Sequence, residues 1–182
     1  NYELLFTKSS LVKILWTTTR VCLITTLFSV MIGYLIAYTM VHLVGRERNL
    51  MLTLVLISFW VSVLVRAFSW LTLLGRNGLV NAVLVGSGMT EEPISMIRNE
   101  FGVLVGMIHY MVPYAVLPLL ANMQGIDHRI MDASRSLGAG PLLTFMRIYL
   151  PLTKPGVIAS SLLVFIISLG FYVTPALLGG GR

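Results

Sequence analysis

Four apolar segments dominate this chain and restrict the solvent in which it can fold. They cover about residues 21–41, 50–74, 101–123 and 156–178, and Arg66 is the only charged side chain within them. Each is as long as the roughly 20 apolar residues that a helix needs to cross the hydrocarbon core of a bilayer. Lipid offers the backbone no hydrogen-bond partner, so each segment is predicted to form an α-helix. The fold class predicted from this pattern is an all-α transmembrane bundle.

The composition supports a membrane protein and argues against several other classes. Of the 182 residues, 57% are hydrophobic and 11% are charged, whereas a soluble domain carries about 25% charged residues. The net charge of +6 does not indicate nucleic-acid binding, because the basic residues form no run and no aromatic platform accompanies them. Cys22 is the only cysteine, so no internal disulfide can form. The three histidines are dispersed, so no metal site is expected.

The loops between the four segments predict how the chain is oriented in the membrane. Residues 44–49 carry two arginines, residues 75–100 are rich in glycine and acidic residues, and residues 122–155 carry four basic residues. Since basic residues prefer the cytoplasmic side, the first and third loops are predicted inside. The N-terminus, the second loop and the C-terminus are then outside. The difference is small, with six basic residues inside against five outside.

The third loop, residues 122–155, has the polar signals of a helical hairpin. Asp127 is a suitable N-cap, because its carboxylate can accept from the free N–H groups of the next turn. A helix is predicted over His128–Leu137, and Gly138 suits the position after a helix where φ is positive. Pro141 suits the first position of a second helix. By pattern alone, an amphipathic hairpin lying on the membrane surface has the same features.

The same loop carries a spaced set of residues. Asp132-Ala133-Ser134 is followed after three residues by Gly138, after nine more by Ile148, and after one more by Leu150-Pro151. This order and spacing resemble the signature of ABC-importer permeases, which is Glu-Ala-Ala, three residues, Gly, nine residues, Ile, one residue, Leu-Pro. Asp132 replaces the glutamate and Ser134 replaces the second alanine, and these changes keep the carboxylate and the small size.

The resemblance implies a mechanical role for this loop. In that family the loop is the coupling helix, which is seated in a groove of the ATP-binding subunit. His128–Leu137 is then expected to dock on a partner ATPase, and closure of the ATPase would switch the spanning helices from inward-open to outward-open. Small Ala133 and Ser134 would permit close approach. The permease performs no chemistry and holds no cofactor, since ATP and Mg²⁺ bind the partner ATPase. The residues assigned to coupling are Asp132, Ala133, Ser134, Leu137, Gly138, Ile148, Leu150 and Pro151.

Three further stretches extend the resemblance over nearly the whole chain. Trp60–Asn81, Phe101–Asp127 and Leu169–Gly180 are similar to stretches of spermidine/putrescine-type permeases. The resemblance implies one permease domain over residues 1–182, of the type I ABC importer kind, in the cytoplasmic (inner) membrane. That family usually has more spans, so a helix is expected before Asn1 and another after Arg182. The implied partners are cytoplasmic ATP-binding subunits, an external substrate-binding protein and a second permease subunit, more readily a paralogue than a copy of this chain.

Three side chains within the predicted spans are candidates for lining the translocation pathway, namely Arg66, Trp70 and Tyr172. If residues 50–74 form one straight helix, Arg66 lies about 24 Å from Leu50 and therefore toward the outer leaflet. One interpretation is that Arg66 extends to the outer interface. The other is that it faces the pathway or binds a backbone carbonyl of a partner. Trp70 and Tyr172 either attract an amine through their rings or belong to an interfacial belt.

The resemblance favours polyamines, spermidine or putrescine, as the transported solute. However, none of the seven acidic residues lies deep in a predicted span, and relatives of this type also carry amino-acid-like, opine-like or phosphonate compounds. A rival from another class is an ion-coupled secondary transporter, which would show acidic or broken-helix ion sites near mid-membrane. An intramembrane enzyme would need a nucleophile–base pair or metal ligands inside the spans. Ser160, Ser161 and Ser168 have no clear histidine partner in the sequence.

Overall fold

The computed structural model of the chain describes residues 9–171 and 173–179, and every regular element in these ranges is helical. The predicted all-α fold is therefore confirmed. Numbered in chain order, the helices are α1 (Ser9–His42), α2 (Arg46–Trp60), α3 (Val63–Leu74), α4 (Leu79–Gly86), α5 (Glu100–Gln124), α6 (His128–Ser136), α7 (Pro141–Thr144), α8 (Leu150–Leu152), α9 (Lys154–Leu169) and α10 (Val173–Leu178), with a π-helical segment at Phe145–Tyr149 between α7 and α8.

Helices α1, α5 and α9 pack against one another and form the main hydrophobic core. Helix α5 contributes a buried stripe that includes Met111, Ala115 and Leu119, at the spacing of one helix face. Small polar side chains are buried on the other two helices, among them Ser29 of α1 and Ser160 of α9. Small and hydroxyl-bearing residues are typical of contacts between membrane helices, because they let the backbones approach and still find hydrogen-bond partners.

The contact between α1 and α5 is close enough to require a glycine. A Cβ atom added at Gly33 would lie 2.8 Å from the Cβ of Ala115 and 3.3 Å from the backbone nitrogen of Val116. The first distance is shorter than real Cβ contacts, so any larger residue would push the helices apart. Gly33 and Ala115 therefore set the distance between the two longest described helices.

Two of the described helices, α1 and α5, are each long and apolar enough to cross a membrane. Two bent pairs pass the same test only when each pair is taken together, namely Arg46–Trp60 with Val63–Gly86 and Pro141–Leu152 with Lys154–Leu169. By length and composition, the described part of the chain therefore offers two spans, or up to four if each bent pair counts as one.

The prediction of one continuous helix over residues 50–74 is wrong. Helix α2 ends at Trp60 and α3 begins at Val63, and the chain bends by 97° between them. At the break Val61 is extended, with φ −75° and ψ 123°. Val61 and Val63 are β-branched and flank Ser62, and none of these residue types favours a helix interior. The placement of Arg66 on a straight helix, toward the outer leaflet, therefore does not hold.

The helix predicted over residues 156–178 is also interrupted. Helix α9 ends at Leu169, Gly170 occupies its C-cap, and α10 begins at Val173. Pro175 is consistent with the interruption, because proline has no N–H to donate to the carbonyl four residues earlier and suits the first turn of a helix. The interruption places Pro175 in the first turn of α10.

The loop between α3 and α5 is organised around one buried amide, Asn81. Its Nδ2 donates to the carbonyl oxygens of Gly75 and Ile94, both at 3.0 Å, and its Oδ1 accepts from the backbone N–H of Ile94 at 2.8 Å. All three bonds satisfy backbone groups that lie outside helices, which is the usual need of a structured loop. The loop predicted on the outer side is thus an ordered element.

Candidate coupling loop and mid-span cluster

The coupling loop, residues 122–155, contains a capped helix. Oδ1 of Asp127 accepts a hydrogen bond from the backbone N–H of Arg129 at 2.9 Å, which makes Asp127 the N-cap of α6. The carboxylate satisfies a free N–H group and places negative charge at the positive end of the helix dipole. The predicted helix over His128–Leu137 is confirmed to within one residue, since α6 ends at Ser136.

Gly138 ends α6 through its backbone conformation. Its φ is +85°. The N–H of Gly138 donates to the carbonyl oxygen of Arg135 at 2.9 Å, and the N–H of Ala139 donates to that of Ser134 at 3.1 Å. These two bonds form a Schellman motif, in which a left-handed residue closes the last helical turn. A Cβ at Gly138 would meet nothing within 4 Å, so glycine is needed here for its positive φ and not for space.

Ser134 points into the coupling loop. Its buried hydroxyl lies 3.0 Å from the hydroxyl of Thr144, which is also buried on α7. Met131, one turn earlier on α6, is buried as well. Its small side chain admits α7 and holds the two arms of the loop together, and a role of Ser134 in the approach of another subunit stays a prediction.

The other signature positions on α6 are open to solvent. Asp132 and Ala133 are exposed, and Leu137 is 88% exposed. Leu142, at the start of α7, is 71% exposed. Oδ1 of Asp132 lies 3.6 Å from Nη1 of Arg135, and an exposed ion pair of this kind adds little stability. Nothing in the described part of the chain covers this mixed apolar and charged surface, so it is free to contact another molecule.

Thr153 joins the end of the coupling loop to α1. Its hydroxyl is buried, donates to the carbonyl oxygen of Leu150 at 2.8 Å, and lies 3.1 Å from the hydroxyl of Tyr34 on α1. Leu150 and Pro151 form part of α8, where the chain bends by 55° before α9, and Ile148 is half-buried in the π-helical segment. These signature residues therefore lie on the path by which the loop returns to the helix bundle.

A set of aromatic rings makes a second connection between the loop and α1. Phe145 and Tyr149 approach Tyr38 of α1 edge-on, with ring centroids 5.8 Å and 5.4 Å away. Edge-to-face pairs at these distances are favourable beyond their buried area. The Tyr149 hydroxyl is buried and has no hydrogen-bond partner among the described residues. The rings therefore hold the end of the coupling loop in direct contact with α1.

A separate polar group, named the mid-span cluster, consists of Arg66, Tyr110, Tyr114 and Phe171. Arg66 is 8% exposed, and its Nη2 donates to the carbonyl oxygen of Val61 at 3.1 Å, within the break between α2 and α3. Its guanidinium carbon lies 4.9 Å from the centroid of the Tyr110 ring. Arg66 is therefore folded onto a carbonyl of its own chain.

Of the two other pathway candidates, the structure describes Trp70. Trp70 lines a cleft of about 560 Å³ whose walls come from α1, α2, α3 and α5. Its Nε1–H donates to Nδ1 of His109 at 3.2 Å, and the two rings meet edge-on with centroids 5.6 Å apart. Tyr172 lies outside the described residues. A role of Trp70 or Tyr172 in the pathway stays a prediction.

The sequence does not predict which residues contact Thr153 and Ser134. Tyr34 and Thr153 are 119 positions apart, and Ser134 and Thr144 are 10 apart, so no local spacing connects either pair. One signal was readable. Tyr110 and Tyr114 are four residues apart on α5, which places both rings on one helix face, and their hydroxyls lie 3.4 Å from each other.

Comparison with known proteins places most of the chain among transport proteins. Residues 29–182 match the model of a family described as binding-protein-dependent transport system inner membrane component. The spermidine/putrescine transport system permease protein PotB of Haemophilus influenzae is 34% identical over 170 residues, which cover 93% of this chain and 59% of that protein. Its counterpart from Escherichia coli is 33% identical over 163 residues, 90% of this chain and 59% of that protein.

A third relative carries a different solute in its name. The probable sulfate transport system permease protein of Prototheca wickerhamii is 28% identical over 153 residues, 84% of this chain and 58% of that protein. The chain thus spans somewhat more than half of the length of the curated relatives that it matches.

Proposed function

The chain belongs to the family of binding-protein-dependent transport system inner membrane components, and from this premise we propose that it is a permease subunit of an ATP-driven importer. It is a multi-pass protein of the cytoplasmic (inner) membrane and pairs with a second permease subunit. A pair of cytoplasmic ATP-binding subunits drives it, and an external binding protein delivers the solute. The relatives from Haemophilus influenzae and Escherichia coli carry spermidine and putrescine in their names, so the proposed solute is a polyamine.

The observation that carries the proposal is the construction of the coupling loop. Helix α6 is closed by its own cap and its own Schellman motif, and Leu137 projects from its end. Such a helix is formed without a partner, and this is required of a helix that another subunit binds and moves. Its outer surface is apolar at Leu137 and Leu142 and charged at Asp132, which suits a groove on another protein.

The loop is also connected so that its movement reaches the helix bundle. The Ser134–Thr144 contact ties α6 to α7, and the rings of Phe145 and Tyr149 interlock with Tyr38 of α1. When ATP closes the partner ATPase, α6 moves with it and α1 follows. No chemistry falls to the permease, since the partner binds ATP and Mg²⁺ and hydrolyses the nucleotide.

A substitution that disturbs docking without disturbing the fold tests this proposal. Gly138→Asp places a carboxylate on the surface of the loop, where an added Cβ would meet no described atom within 4 Å apart from its neighbours in the chain. Gly88→Asp is a matched control, because Gly88 has φ +73° and equally open surroundings but lies in the loop between α4 and α5. Both variants carry similar backbone strain, so a difference between them reports on the location of the residue.

The expected result is measured on the complete transporter, purified through this subunit. Gly138→Asp should retain less ATPase on the column and should lose solute uptake while remaining inserted in the membrane. Gly88→Asp should bind the ATPase like the unchanged protein. Normal uptake by Gly138→Asp, or equal loss of the ATPase in both variants, would contradict the coupling role.

One observation favours a second class of solute. Arg66 is a buried cation, and a compound with a carboxylate or phosphonate group, such as an amino-acid-like or opine-like solute, would be attracted to it. The sulfate transport relative is consistent with a wider range of solutes in the family. Binding assays on the external binding protein of the same system would separate the two classes, since that protein selects the solute.

A further inference from the structure

The mid-span cluster lies level with the middle of α5. Tyr110 is the eleventh of the 25 residues of this helix, so it is about 15 Å from the first residue along the helix axis. Phe59, the second-last residue of α2, meets the ring of Tyr114 edge-on at 4.9 Å, and Arg66 reaches Tyr110 from α3. The bend between α2 and α3 thus brings two residues from its two sides onto the same face of α5.

The Tyr110 ring is occupied on both faces. Phe171 stacks on it with centroids 4.3 Å apart and planes 26° from parallel. The guanidinium carbon of Arg66 lies 4.9 Å from the same centroid, and two groups so near to one ring must lie on opposite faces. An aromatic face attracts a cation within about 6 Å of its centroid. The structure therefore contains a cation site on Tyr110, and a side chain of the protein itself fills it.

The charge of Arg66 is not balanced within the described chain. Its contacts there are the carbonyl oxygen of Val61 and the Tyr110 ring, and no described carboxylate lies within 4.0 Å of it. A buried charge in a membrane protein normally faces the interior of the assembly or an aqueous cavity. Tyr110, Tyr114 and Phe171 are only half-buried in the isolated chain. Lipid would not solvate this cluster, so its open side is the side from which a polar solute could reach it.

From this geometry we infer that Arg66 and Tyr110 form an exchange site for an organic ammonium group, and that Tyr110 helps to select the solute. The inference rests on the proposed amine importer. In this structure the guanidinium of Arg66 holds the free face of the Tyr110 ring. A primary or secondary ammonium group of the solute takes that place during passage, and Arg66 stays tethered to the Val61 carbonyl.

The chemistry of the site suits an alkylammonium ion. The ring face supplies the cation–π attraction, and the hydroxyl oxygens of Tyr110 and Tyr114, 3.4 Å apart, are acceptors for the N–H groups. Arg66 weakens binding of the ammonium group, because it competes for the ring and repels a second positive charge nearby. The affinity of the site for the solute is therefore low, which allows the solute to leave it again.

The test is equilibrium binding of labelled spermidine to the purified permease–ATPase complex, without the external binding protein. Arg66→Gln removes the competing charge and keeps a donor for the Val61 carbonyl, so binding should become tighter by about 2- to 30-fold, the range expected for one cation–π contact. Tyr110→Leu should weaken binding over the same range, and Tyr110→Phe, which keeps the ring, should retain most of it. Arg66→Lys keeps the charge and should therefore tighten binding less than Arg66→Gln does.

Phe68→Leu is the matched control for the loss of an aromatic ring. Phe68 lies on α3 two residues after Arg66, is exposed, and lines a different groove. Its replacement should leave spermidine binding unchanged. If the Arg66→Gln protein does not assemble with the ATPase, the comparison of Tyr110→Leu, Tyr110→Phe and Phe68→Leu still tests whether the Tyr110 ring binds spermidine. None of these three variants alters a charge.

Several outcomes would overturn the inference. One is binding that weakens in Arg66→Gln as much as in Tyr110→Leu, since a merely structural role gives both changes the same sign. Another is equal binding by Tyr110→Leu and Phe68→Leu, or no binding by any form of the complex at millimolar spermidine. If the complete transporter imports amines in spite of such results, only this inference is wrong. If it imports an acidic solute and Arg66→Gln abolishes that import, the polyamine assignment is wrong as well.

Discussion

Gly33 lies in the core between α1 and α5, and Gly138 lies at the end of α6, and the surroundings of the two glycines are opposite. At Gly33 an added Cβ would collide with Ala115, although the backbone conformation is an ordinary helical one. At Gly138 an added Cβ would meet nothing within 4 Å, but φ is +85°. The core needs the absence of a side chain, and the coupling loop needs a particular backbone conformation.

The difference shows how the two regions are held together. The core is a set of helices fixed by contacts with one another, so a change at one helix is felt by its neighbours. The end of α6 is fixed by hydrogen bonds between residues close in sequence, from Ser134 to Ala139. A region of the second kind can move as a unit and keep its shape, which is the property that a docking helix requires.

The largest effect is expected in the core. Gly33→Val should destabilise the protein by roughly 3 kcal/mol, because the overpacked methyl groups must displace Ala115 and the backbone beside it. The measurement is the thermal unfolding midpoint of the protein in detergent. Gly86→Ala, at a glycine with nothing within 4 Å and no positive φ, serves as the control and should shift the midpoint little. Equal stability of the two variants would show that α1 and α5 are not in close contact.

A smaller effect is expected at the end of α6. Gly138→Val should cost about 1–2 kcal/mol of local stability, since an L-residue with a Cβ resists the left-handed conformation. Gly138→Asn should cost less, because asparagine adopts that conformation more readily than other residues. Co-purification of the ATPase with each variant is the measurement, and it should be retained better with Asn than with Val. The reverse order would mean that the backbone conformation is not what the partner requires.

The Ser134–Thr144 contact tests whether the two arms of the coupling loop form one unit. Ser134→Ala leaves the buried Thr144 hydroxyl without its described partner and should cost about 1 kcal/mol or slightly more. Adding Thr144→Val removes the second hydroxyl, so the double variant should be less destabilised than the sum of the single variants. A double-mutant cycle on unfolding midpoints measures this coupling, and strict additivity would indicate that the two hydroxyls do not interact.

The smallest effect on stability is expected at the exposed surface of α6. Asp132→Asn removes an exposed ion pair with Arg135 and should change stability by less than about 0.5 kcal/mol. If the surface is a docking site, the same change should still weaken association with the ATPase, which a titration of purified subunits would detect. An unfolding midpoint that falls as far as in Ser134→Ala would place Asp132 in the fold and not at a contact surface.

Much of the helical framework was predictable because its signals are local. The apolar run over residues 101–123 predicts α5. Asp127 and Gly138 predict where α6 begins and ends. A cap and a left-handed glycine act through atoms only a few residues away, so their effect is present in the sequence itself. Pro175 is a local signal of the same kind, because it suits the first turn of α10.

The bend at Val61 and the role of Ser134 were not predictable for the opposite reason. The carbonyl of Val61 is satisfied by the side chain of Arg66, whose position also depends on Tyr110 from another helix. Ser134 can contact Thr144 only because the chain changes direction at Gly138. A pattern of apolar residues records that these positions are suited to a membrane or a helix, but not which distant group will contact them.

The most direct measurement is on which side of the membrane Leu137 lies and whether it contacts the ATP-binding subunit. With Cys22 replaced by Ser, Leu137→Cys introduces a thiol at a site that is 88% exposed in this chain, and the Cys22→Ser protein alone is the control. The thiol should react with a membrane-impermeant reagent in inside-out vesicles but not in intact cells, and it should cross-link to the ATP-binding subunit. Labelling in intact cells, or a complete transporter in which position 137 never cross-links to that subunit, would contradict the proposal that α6 is the docking helix.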